Sequence, residues 1–107
     1  MIASTFFTSK APAQTNSTTN PAVISYFSAG WSSDQISISN TGTSTVPNPA
    51  GCTSQDLVAA SSTNPGYNTL LATALTAVSS GLNVTLVISN TTCTNGRPTL
   101  IGINLGS

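Results

Sequence analysis

The sequence predicts a small β-rich α+β domain, and three observations carry that expectation. Two stretches, 35–39 and 82–89, alternate apolar and polar residues with the period of a strand. One stretch, 67–78, repeats its apolar residues with the period of a helix. Two cysteines, Cys52 and Cys93, lie one on each side of that helix, beside turn-like sequence. Taken with the flanking strands, these predict a small, partly open five-stranded barrel with one helix between the third and fourth strands.

The elements follow in chain order. Residues 1–20 read as an N-terminal arm and linker, and 21–107 as a single β-rich domain. Within the arm, 2–7 has strand character. Ile2, Phe6 and Phe7 are too apolar for a free terminus, which suggests an assembly strand. The Ser/Thr/Asn/Pro-rich stretch 8–20 reads as a linker. Ala22–Ser28 is β-branched and aromatic, a first strand. Residues 29–33 form a turn around Trp31. Gln35–Ser39 alternates strictly as a second strand, 43–51 with Pro47 and Pro49 is a loop, and Asp56–Ala60 is a third strand. Asn64 and Pro65 suit the start of a helix, and Gly81 suits its end. Between them, Tyr67, Leu71, Ala74 and Val78 form the stripe expected to face the sheet. Leu82, Val84, Leu86 and Ile88 then alternate along a fourth strand, and Asn90–Arg97 reads as a turn holding Cys93 and an Asn95-Gly96 pair. In the fifth strand Ile101, Ile103 and Leu105 share one face.

Charge content excludes most functions. The chain has two basic and two acidic side chains, Lys10, Arg97, Asp34 and Asp56, with no His and no net charge. Ser, Thr and Asn fill 45 of its 107 positions. Nucleic-acid binding and attachment to anionic membranes both rest on clustered Lys and Arg, so neither partner is expected. No apolar run is long enough for a membrane span. Without His there is no Ser-His or Cys-His dyad, the two aspartates are 22 residues apart, and no Gly-rich phosphate loop occurs. An enzyme is therefore not expected, and no metal or cofactor is implied. A neutral surface does not oppose self-association, so a homo-oligomer is expected.

For the two cysteines a disulfide is the simplest account, with two free thiols the alternative. A disulfide implies an oxidising, extracellular compartment. Met1–Phe7 lacks the basic start of a secretory leader. Three Asn-x-Ser/Thr sequons occur, at Asn16, Asn83 and Asn90.

Five residues are candidate ligand contacts. Trp31, Ser33 and Asp34 form a turn with an aromatic face, a hydroxyl and a carboxylate, the mixture a sugar site uses. The competing reading is a Trp that plugs one end of the barrel. Arg97, beside Asn95, has a fork that suits an acidic sugar carboxylate; the alternatives are a pair with an aspartate or a side chain free in solvent.

The back half also carries a family resemblance. Gly51-Cys52, then Tyr67-x-x-Leu70-Leu71 with Ala74 and Ala77, then Gly81-x-x-Val84-x-Leu86, then Cys93-x-x-x-Arg97-Pro98-x-x-Ile101-x-x-x-Leu105, resembles small secreted bacterial proteins akin to the B subunit of subtilase-type cytotoxins. The resemblance covers about residues 22–106. It implies an oligonucleotide/oligosaccharide-binding-like barrel, secretion, ring formation, and a disulfide from before the helix to between the last two strands. The toxins bind sialylated glycans, but none of their binding residues can be placed on this chain. Two functions follow as expectations. One is a secreted, self-associating module that recognises a glycan or surface receptor. The other is a structural subunit of an extracellular filament or virion surface, assembling through its arm.

Overall fold

A computed structural model of the chain describes residues 16–30 and 33–106. In order they form β1 (Asn16–Thr18), β2 (Ala22–Val23), β3 (Tyr26–Ala29), β4 (Gln35–Ser39), β5 (Val58–Ser61), α1 (Tyr67–Ser80), β6 (Asn83–Thr94) and β7 (Arg97–Leu105). The strands make one open sheet in the order β1-β6-β7-β5-β4-β3, with β2 also on β6. Neighbours are antiparallel, except that β5 and β7 run parallel through Ala59 and Thr99. The described residues thus form a β-rich α+β domain with one helix. Seven strands are described where five were expected, and α1 follows the fifth of them.

The extra strands arise in two places. Asn16–Thr18, in the stretch read as linker, pairs with Val87–Ser89 of β6. The run 22–28, read as one strand, breaks at Ile24 and Ser25. Its first part pairs with β6 and its second with β4. At the break the Ser25 backbone N–H and hydroxyl both donate to the carbonyl of Ser39. Backbone groups of a segment laid on a sheet must find partners, and a split strand finds them on two neighbours.

One sheet face carries the core. Phe27 is opposite Ile38, Ile38 opposite Val58, Ile36 opposite Ala60, and Ile88 opposite Leu100. These pack with Val84, Leu86 and Val46 against Tyr67, Leu70 and Ala77 of the helix. Residues on the other face are small and polar: Ser37, Ser39, Ala59 and Thr99 are all buried there. The alternation of 35–39 therefore sorts Ile from Ser, but both faces are covered.

The helix is rotated from its expected seating. Tyr67, Leu70, Ala74 and Ala77 are buried, Leu71 is half-buried, and Val78 and Leu75 are exposed. An apolar stripe wider than its contact leaves the choice of edge to the sheet. The helix also starts at Tyr67 rather than Pro65. Asn64 does not cap it, because the Asn64 Oδ1 accepts from the Ser61 N–H at 2.7 Å and closes the preceding turn. Gly81 ends the helix at φ 63°, as expected, with its N–H on the Ala77 carbonyl.

The last hairpin is longer and tighter than expected. β6 continues through Cys93, so the turn is only Asn95-Gly96, with φ of 52° and 79°. Two left-handed residues in a two-residue connection make a type I′ turn, the form that matches strand twist and favours Asn-Gly. Irregularities fall after Val87 and after Ile88. At the first, Val87 pairs with Gly102 but Ile88 with Leu100, so Ile101 is extra. Consequently Leu100 is fully buried and Ile101 exposed; Leu105, at the end of the strand, is exposed as well, so only Ile103 of the expected trio packs against the core. A bulge reverses side-chain parity, which alternation alone cannot reveal.

Candidate binding site

Cys52 and Cys93 form a disulfide with their Cα atoms 5.8 Å apart. It joins the loop before β5 to the end of β6. The Ser54 N–H donates to the Gly96 carbonyl at 2.8 Å, and Asn48 holds Cys52 by both its amide oxygen and its amide nitrogen. The loop and the β6–β7 hairpin tip are thereby fixed to each other beside the outer face of β4.

Between them lies a cavity of about 430 Å³. Its floor is the polar face of the β3–β4 pair, with Tyr26, Ser28, Gln35 and Ser37. Its walls are Ser33, Leu57, Asn95 and Arg97. The period of two in 26–28 and 35–37 puts these polar side chains opposite Phe27 and Ile36. Tyr26 is 48% exposed, so its ring is open to a ligand. Across the cavity, the Asn95 Nδ2 donates to the Gln35 Oε1, tying the hairpin tip to β4.

Arg97 is paired. Its Nε donates to Asp56 Oδ1 at 2.9 Å and its Nη2 to Asp56 Oδ2 at 3.2 Å. The Arg97 guanidinium holds the Asp56 carboxyl below its ordinary pKa against the opposing effect of partial burial. The same hydrogen bonds raise Arg97, with a smaller contribution from Tyr26. Of the readings of Arg97, the pair with an aspartate is the one the structure has.

The five candidate contacts divide. Ser33, Asn95 and Arg97 meet in the cavity. Asp34 does not: it lines a separate depression with Ser62, Asn64 and Tyr67 at the start of α1. Burial raises the Tyr67 phenol, and the Asp34 charge adds to the shift. Trp31 lies outside the described residues, as do Ile2, Phe6 and Phe7 of the arm. Tyr26, Gln35, Ser37 and Leu57 were not singled out from sequence. Residue type in 22–28 and alternation in 35–39 marked strands there, but only the pairing of β3 with β4, and the hairpin folded over them, makes a cavity.

No family model, no curated protein and no solved structure significantly matches this chain. Among the described residues there is no group of three or more His, Cys, Asp or Glu side chains placed to hold a metal ion. Nor, among them, is any helix long and apolar enough to cross a membrane. The cavity offers hydroxyls, amides, one open aromatic ring and one compensated ion pair. Such a lining can hydrogen-bond and stack, and it presents no activated nucleophile.

Proposed function

We propose that this domain is a non-enzymatic, extracellular binding module whose cavity between β3, β4 and the β6–β7 hairpin takes a glycan. The observation that carries the reading is the half-exposed Tyr26 ring set beside Ser33, Gln35, Ser37, Asn95 and Arg97 in one cavity. Sugars are held by an apolar face together with a few convergent polar groups. The disulfide supports an oxidising compartment.

The finer fold reading belongs with this one. We read the sheet as a partly open, oligonucleotide/oligosaccharide-binding-like barrel. The segment 22–29 supports it: β2 lies on β6 and β3 on β4, with two residues between them, so one short stretch touches strands far apart in the sheet order. In barrels of that kind, ligands sit over the second and third strands, between the first and last hairpin loops. Counted from β3, those are β4, β5, the connection from β3 to β4, and Asn95-Gly96. This support is an analogy of fold, and the side chains carry the argument.

Replacing Tyr26 by Ala tests the reading. A glycan array should give ligands for the wild-type chain, and Tyr26→Ala should weaken them by about tenfold or more, with an unchanged melting temperature. An array with no ligand, or full binding by the variant, would overturn it.

Self-association is a second reading, favoured by the exposed Leu75, Val78 and Leu82 near the end of α1 on a chain without net charge. In this reading copies assemble, with residues 2–7 contributing. Light scattering should then give a mass above that of one chain, reduced on deletion of residues 1–12. A single-chain mass at all concentrations would end it.

A further inference from the structure

We infer that the cavity is selective for uncharged saccharides and disfavours acidic ones, because Asp56 already occupies the fork of Arg97. This inference rests on the glycan reading above and adds the ligand class.

Among the described residues, Arg97 is the one basic residue in the cavity wall, and the other described lining residues are uncharged. A ligand carboxylate would seek the Arg97 guanidinium, whose paired N–H groups match two carboxylate oxygens. The side-on pair, Nε and Nη2, is spent on Asp56 Oδ1 and Oδ2. Two of five N–H groups are used, which leaves three on the far edge. A carboxylate placed on that edge would sit within a few ångströms of the Asp56 carboxylate and be repelled by it. The Arg97–Asp56 pair therefore presents donors without net positive charge, which suits a neutral hydroxyl.

The rest of the lining agrees. Ser33, Ser37, Gln35 and Asn95 carry groups that both donate and accept, the match for a ligand whose hydroxyls do the same. The Gln35–Asn95 hydrogen bond and the disulfide beside it hold these groups in place. Tyr26 supplies the face for a sugar ring.

The test is titration of the full chain with matched pairs, lactose against 3′-sialyllactose and maltotriose against trigalacturonate, followed by NMR. The neutral member of a pair should bind about tenfold tighter than its acidic counterpart. Asp56→Asn, a change at an exposed side chain, should raise affinity for the acidic member by about threefold to tenfold, the scale of one like charge removed at short range in a partly solvated site. The quantity read is the ratio of acidic to neutral affinity within each pair, which should rise by the same factor. Equal or tighter binding of the acidic members by the wild type overturns the inference while leaving the glycan reading intact. If neither class of sugar moves the signals of Tyr26, Gln35 and Asn95, the glycan reading falls and this inference with it.

Discussion

Asn40 closes the end of β4 with its amide turned inward. Its Nδ2 donates to the Val84 carbonyl at 2.8 Å and to the Asn20 carbonyl at 3.1 Å, so one side chain ties β4, β6 and the β1–β2 connection together. With both amide hydrogens spent on carbonyls, the orientation of the amide is fixed. Its Oδ1 is then left buried with no hydrogen-bond partner among the described residues. Asn40→Leu should cost about 1–3 kcal/mol by stranding the two carbonyls, read as a shift in urea midpoint. Asn40→Asp should cost more, since a carboxylate would face those carbonyls. Ionisation leads to a second expectation. The lowered Asp56 pKa contributes stability that is present above about pH 4 and lost as pH falls through the folded value. The raised Tyr67 pKa contributes stability that is present below about pH 10 and lost as pH rises through the folded value. With no His in the chain, the melting temperature should stay flat from about pH 5 to pH 9. The acid-side loss should be small, because the Arg97–Asp56 pair is largely solvated. A marked step near pH 6.5 would contradict this assignment.

At the scale of elements, α1 separates what a helical period reveals from what it leaves open. The repeat of Tyr67, Leu70, Leu71, Ala74, Leu75 and Val78 specifies a helix, and a helix is there. It does not specify which edge of that broad stripe meets the sheet. Leu70→Ala should cost about 2–5 kcal/mol in denaturant unfolding, the range for a buried leucine truncation. Leu71→Ala should cost less than Leu70→Ala, and the exposed Val78→Ala should stay within about 0.5 kcal/mol. An equal cost at Leu70 and Val78 would mean that the helix sits in its other rotation. In the hairpin, Gly96→Ala should cost about 1 kcal/mol, because φ of 79° is strained for any side chain with a Cβ.

For the whole molecule, the disulfide matters more than any single contact. It closes a separation of 41 residues, worth about 4 kcal/mol in the chain-entropy model. That is a large share of the stability of a small domain. The folded protein should titrate with no free thiol, and reduction should lower the urea midpoint sharply. The bond also backs the cavity wall, so reduction should weaken glycan binding at urea concentrations where the fold survives.

The sequence by itself determined the class of the molecule: β-rich, with a helix, two cysteines flanking it, and a surface of hydroxyls and amides. Each of these is a local pattern, fixed by the period of apolar residues or by residue type. Ser33, Asn95 and Arg97 were legible as polar groups in turns for the same reason. Only the tertiary structure decided the rest. The split of 22–29 between β6 and β4, the bulge that exposes Ile101, the rotation of α1 and the Arg97–Asp56 pair all depend on partners in other elements of the fold. Burial is a property of what covers a residue, and a pattern of alternation records only that two faces differ. Tyr26 and Gln35 read as ordinary strand residues until β3 lies on β4 and the disulfide-bound hairpin closes over them.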